Sequence, residues 1–141
     1  MIFLTGSGDR VRAAMRTAFA RIAISLQRYI VTQKLHGQVL KQRTGTLASS
    51  VIQRVEESDG KIVAIVQAGG GTAGKYAGVH EYGGTYTIPE HLSVSRLGNQ
   101  FSVRSHDATF PVKSYMRSSL QENLDMYVTE VNKALKQALT T

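Results

Sequence analysis

Apolar positions recur at steps of three and four near both ends of the chain and give way to short runs in the middle. Val11, Met15, Ala18, Ile22, Leu26 and Tyr29 fall on one face of a helix. Phe19 and Ile30 widen that stripe. Arg10, Arg21 and Arg28 gather on the opposite side at about 100° per residue. Ser7 or Asp9 supplies an N-terminal cap and Gly37 a stop, so a helix over residues 7–36 is predicted. It would span roughly 42 Å, long for a small domain, and one end is expected to project toward a partner. Thr44 or Thr46 then caps a short helical turn. "VIQRVEESDGKIVAIVQA" reads as a hairpin turning at Asp59-Gly60. Its second strand, Ile62 to Val66, is apolar on both faces and reads as central in a sheet.

A glycine-rich stretch comes next and reads as a connecting loop. "TYTIPEHLSVSRLGNQFSVRS" predicts two more short strands that turn near Leu97-Gly98-Asn99, with Pro89 marking an edge or a bend. "HDATFPVK" reads as loop. A last helix over residues 113–139 carries Tyr115, Met116, Leu120, Leu124, Tyr127 and Val128 on its apolar stripe, continued by Val131, Leu135 and Ala138. The order predicts an α+β fold. It has a long N-terminal helix, an antiparallel sheet of about four strands within residues 51–104, and a long C-terminal helix. Both helices are expected on one face of that sheet, in a single domain spanning 1–141.

The length of 141 residues suits one domain, and 42% hydrophobic with 19% charged residues is a globular composition. No cysteine is present, which excludes disulfides and thiolate metal sites. The opening "MIFLTGSGDR" is too short in apolar residues for a signal sequence, and no run approaches the roughly 18 apolar residues of a membrane span. The chain is expected to be soluble and unexported, with no membrane partner. Its net charge of +7 is uneven. Residues 1–54 carry nine Lys or Arg against Asp9 alone, whereas residues 55–141 carry eight basic and nine acidic residues. A basic first third attracts nucleic acid or an acidic protein surface, or serves as a solvated helix face.

Gly69, Gly74 and Lys75 match most of a phosphate-binding loop, but Tyr76 stands where a magnesium-holding Ser or Thr is required. The preceding strand is a hairpin arm rather than part of a parallel unit. His80-Glu81 opens a zinc-protease pattern that Gly84 breaks, and His36, His91 and His106 have no ligand spacing. Ser49, Ser50 and Asp107 form no recognisable nucleophile motif. No catalytic, metal or cofactor site is expected, and no sequence-reading nucleic-acid motif is present.

Three segments in order carry a resemblance. "RTGTLASSV" (43–51), "YAGVHEYGG" (76–84) and "FPVKSYMRSSLQENLD" (110–125) resemble segments of tailed-bacteriophage neck, tail-completion and minor tail proteins. The resemblance spans about residues 8–138. It implies a structural virion protein, not an enzyme, without a cofactor and localised in the neck or tail after assembly in the host cytoplasm. Such proteins form a ring at the head–tail junction around the DNA channel. They dock on head-closure or connector rings and on tail-terminator or tail-tube rings. A hexamer is the preferred count and a dodecamer the alternative.

The residues expected at subunit or partner contacts are Arg43, Thr44 and Gly45 in the first segment. They are joined by Tyr76, His80, Glu81, Tyr82 and Gly83 in the second, and by Phe110, Pro111 and Arg117 in the third. Tyr and Arg are favoured interface anchors, and the adjoining glycines let another backbone approach. The competing reading of 76–84 is a short internal helix with Tyr76 and Tyr82 in the monomer's own core. The glycine stretch 67–75 is expected to order against a neighbour. Arg10, Arg21 and Arg28 are the candidates for facing DNA in the lumen, or an acidic partner. A small, basic, non-specific DNA-binding protein is the alternative function.

Overall fold

The computed structural model describes residues 7–38 and 46–140, except for the side chains of residues 7, 36–38, 72, 75 and 76. The first helix, α1 (Ser7–Tyr29), continues into a wider π-helical segment, Ile30–Gln38. Its buried stripe follows the predicted face at Ala18, Ile22 and Ile30, and Arg10, Arg21 and Arg28 are exposed. One short turn, α2 (Thr46–Ser49), leads into the hairpin β1 (Ile52–Ser58) and β2 (Lys61–Gln67). Asp59 and Gly60 both take positive φ, as a tight two-residue hairpin turn demands.

Helix α3 (Gly71–Tyr82) follows, where a loop was expected. Strands β3 (Gly84–Ile88), β4 (His91–Val94), β5 (Gln100–Val103) and β6 (His106–Phe110) come next, and α4 (Met116–Thr140) closes the fold. The α+β class holds, with long helices at both ends. The strands do not share one sheet, however. They form three two-stranded antiparallel pairs.

Two of those pairs are one object. Gly84 faces Phe110, Ile88 faces His106, His91 faces Val103 and Val94 faces Gln100. The register never shifts, so residues 84–110 form a single hairpin ribbon. Its ladder is interrupted where Pro89, which has no N–H to give, stands in β3–β4. Ser95 and Asn99 close the tip, with Gly98 at φ 83. Segment 106–110, expected as loop, is therefore the ribbon's return strand. Eleven residues at strand rise give an arm about 36 Å long. Apart from its base, where Phe110 meets His80 of α3, it has no extensive packing on another helix or strand among the described residues.

The helices also stack differently from expectation. Helix α1 packs on both strands of the β1–β2 hairpin, and α4 packs on α1 rather than on the sheet. The two long helices run antiparallel, because Tyr29 and Lys34 at the end of the first helix both bond Glu122 near the start of α4. Strand β2, expected to be central, has β1 as its one neighbour among the described residues, which leave its other edge open.

The core is small. Ile30, Leu35, Val51 and Tyr115 form its buried centre, sealed by Leu26, Leu47, Val66 and Met116. Truncating Ile30, which is fully buried, removes methylenes from a site with no water to replace them. Ile30→Ala is expected to cost about 3 kcal/mol in denaturant titrations, whereas Leu97→Ala at the ribbon tip changes stability by less than about 0.5 kcal/mol.

Candidate assembly site

The glycines at the end of β2 build a corner. Gly69, Gly70 and Gly71 all have positive φ, and a Cβ on Gly69 would lie 3.3 Å from the Gly74 backbone. That corner turns the chain sharply from a strand into α3. Ser50 fixes it by accepting a hydrogen bond from the Gly69 amide at 3.1 Å. The segment expected to order on a neighbour is, from Gly71 on, already helical in one chain. Ala73, Ala77 and Glu81, spaced by four, form the helix's buried face.

Glu81 is the centre of the site. Only 4% of it is exposed, and its carboxylate sits on the N-terminus of α4. The Tyr115 and Met116 amides each donate to Oε2 at 2.9 Å. The Arg117 amide, the Arg117 Nε and the Ser114 hydroxyl donate to Oε1 at 3.0–3.1 Å. A helix N-terminus has amides without intrahelical partners and a positive dipole end, and a carboxylate answers both. Burial alone would raise the Glu81 carboxyl. The bonds from Met116, Arg117 and Ser114 outweigh it and hold the group below its ordinary range. Burial, then the Glu81 charge and Tyr82, push the Tyr115 hydroxyl up to about 12, and it donates to the Ala77 carbonyl at 3.1 Å.

Two of the segments singled out in the sequence thus meet within one chain. The Arg117 guanidinium lies 5.0 Å from the centre of the Tyr82 ring. The His80 carbonyl accepts from the Lys113 amide at 2.9 Å. Phe110 touches both His80 and Tyr86 edge-on. Burial, and then Lys113, lower the His80 pKa, which favours a neutral ring. Gly83 adopts φ 65 and ψ −168, a region closed to side chains. A Cβ there would lie 2.9 Å from both the Phe110 carbonyl oxygen and the Val112 amide.

The placement divides the expected contact residues. Glu81 and Gly83 are buried inside the monomer, so they offer no surface to a partner in this fold. Their internal role matches the competing reading of a short internal helix, but Tyr82 does not join the core, being 64% exposed. Pro111 and Arg117 are also exposed, and His80 and Phe110 are half-buried. Tyr76 lies in α3, with its side chain outside the described set. Arg43, Thr44 and Gly45 lie outside the described residues. Of the other candidates, Ser50 binds the glycine corner while Asp107 accepts from Thr87 on the ribbon.

The arginines of α1 are also sorted. Arg12 and Arg16 both pair with Glu57 on β1, while Arg10, Arg21 and Arg28 make no ion pair among the described residues. Among those residues, no group of His, Asp and Glu could hold a metal ion, and no helix is long and apolar enough to cross a membrane. No family model matches the chain, and no curated protein or solved structure matches it.

One feature escaped the sequence reading altogether. A groove of about 650 Å³ runs between β2 and α4. Phe19, Ala23 and Leu26 of α1 form its floor, with Ile65 on one wall and Leu124 and Val128 on the other. The signal was present: Leu120, Leu124 and Val128 extend the α4 stripe beyond what α1 can cover.

Replacing Glu81 by Ala strands five donors at a buried helix end and is expected to cost about 3 kcal/mol by urea titration. Because the folded carboxyl lies below its ordinary value of 4.5, its contribution is present in full above that value. It is lost as pH falls through the lower folded value. The stability gap between wild type and Glu81→Gln should therefore be widest near neutrality and close in acid. Gly83→Ala combines backbone strain with a clash, and thermal melts should show a loss of about 3 kcal/mol.

Proposed function

We propose that the chain is a structural virion protein of a tailed bacteriophage, forming a ring at the head–tail junction. As a neck or tail-completion subunit it joins the head-closure or connector side to the tail terminator or tail tube around the DNA channel. The observation that carries this reading is unpartnered surface. Among the described residues, Leu92, Val94 and Phe101 of the ribbon are about half exposed or more, and an apolar groove lies open between β2 and α4 with Leu124 and Val128 half exposed on its wall, surface that a solitary protein would bury. The three ordered segments that resemble neck and tail-completion proteins supply the biological setting.

A second reading has its own observation. Arg10, Arg21 and Arg28 are exposed and unpaired among the described residues, as a non-specific DNA-binding surface requires. Light scattering at two salt concentrations, followed by negative-stain imaging, separates the two. The ring reading expects a discrete multiple of 15.4 kDa that survives salt, six copies first and twelve as the alternative, with a central hole. A protein that stays monomeric, and binds duplex DNA with an affinity that collapses as salt rises, would replace it with the DNA-binding reading.

A further inference from the structure

The two unpartnered apolar surfaces differ in kind, which decides how copies can associate. The base of the ribbon is amphipathic. Paired residues share a face, so Tyr86 and Ile88 line one side with Ala108 and Phe110, continued toward the tip by Leu92 and Val94, which share it with Glu90, Gln100, Ser102 and Arg104. The other side carries Thr85, Thr87, Asp107 and Thr109 at the base, joined across the strands by hydroxyl and carboxylate bonds, and Phe101 and Val103 toward the tip. A sheet with one apolar face needs a second layer, and an isolated two-stranded hairpin is marginal in water. Beyond its base no second layer covers it among the described residues: Leu92 is 71% and Val94 60% exposed. The groove has the opposite deficiency, an apolar floor and walls that no described residue fills.

We propose that the ribbon of one copy lies, apolar face inward, in the α1–β2–α4 groove of the next copy. This rests on the reading of the chain as a ring subunit and names the contact that would build the ring. Charge does not oppose the match. Across residues 84–110 Glu90 and Asp107 balance Arg96 and Arg104, and along α4 Glu122, Asp125 and Glu130 balance Arg117, Lys133 and Lys136.

Hydrogen bonding favours it. Strand β2 has an open edge beside the groove, and an incoming strand would satisfy it. An added neighbour also makes β2 the central strand that its two apolar faces describe. Because donor and acceptor surfaces differ, the contact is heterologous and propagates until rotation closes a ring.

Complementation tests this without depending on the exact register. One variant carries Leu92→Asp and Val94→Asp, disabling the ribbon. The other carries Leu124→Asp and Val128→Asp, disabling the groove. All four side chains are about half exposed or more, and helix content is checked by circular dichroism. Each variant alone should run as a monomer. An equimolar mixture should give a dimer of twice 15.4 kDa and stop there, one intact ribbon in one intact groove.

Should the groove variant lose its helices, cysteine pairing replaces it, since the chain has no native cysteine. Leu92→Cys copies mixed with Leu124→Cys copies should oxidise to a cross-linked dimer at least fivefold more than either alone. If both aspartate variants still assemble as the wild type does, or the mixture stays monomeric, the ribbon contact is wrong. Closed wild-type rings in that case would leave the ring reading standing. If complementation succeeds but the wild type grows into open filaments, the contact stands and the ring reading falls.

Discussion

The buried carboxylate of Glu81 fixes the relation among three parts of this protein. Placing a charge out of water costs several kcal/mol, and the first amides of α4 would be left wanting acceptors. Each deficiency answers the other, through three amides, a guanidinium and a hydroxyl on two oxygens. The joint lies between the end of α3 and the start of α4, elements far apart in sequence. It therefore sets where α4 begins, and through Gly83 it also sets where the ribbon leaves the body. Sidedness follows from the same joint, since Tyr82 and Arg117 stack on its solvent side while Tyr115 seals the core beneath.

With the start of α4 pinned there, the helix runs back along α1 and not across the hairpin. Lys34 and Tyr29 secure the first turns through Glu122, which their hydrogen bonds hold below its ordinary pKa. Beyond them α4 rests on α1 alone, while α1 also supports β2. A helix that carries two neighbours on adjacent sides leaves a gap between those neighbours. The apolar groove is that gap, and the exposed Leu124 and Val128 are the cost of the geometry in a monomer. The ribbon has a parallel origin. Gly83 and Gly84, both at positive φ, turn the chain away from α3 just where the body has no sheet for it to join.

How much of this was legible varied with the range of the interaction that decided it. The long helices follow from 3.6-residue periodicity, and Asp59-Gly60 announces its own turn, because these depend on neighbours a few residues away. Helix α3 was hidden by its three glycines, Gly71, Gly74 and Gly78, and by an inner face of alanines. The spacing of Ala73, Ala77 and Glu81 was the available trace. The role of Glu81 was not legible, since a carboxylate beside glycines describes a surface residue until a helix N-terminus some 34 residues on is brought to it. Strand β6 was missed for a related reason: "HDATF" has weak strand character and is held by its register opposite β3. The sheet was misjudged because β2 reads as central, whereas the described residues provide it with one neighbour.

On the proposed ring reading, helix α1 separates two tasks that a subunit has to perform at once. The helical positions of Phe19, Ala23 and Leu26 place the groove floor on one side, and those of Arg10, Arg21 and Arg28 fall about half a turn away. Covering the first set does not consume the second. The arginines nearest the hairpin, Arg12 and Arg16, share Glu57, which balances one of their two charges, so the arginines of α1 without an ion pair among the described residues are those of the opposite face. A contact with a passing duplex through that face would be unspecific and salt-sensitive, drawing on phosphates rather than bases. A subunit contact in the groove would be apolar and salt-tolerant. The two can therefore operate together on one helix, and the uneven charge of the sequence becomes a consequence of which side of α1 is left to solvent.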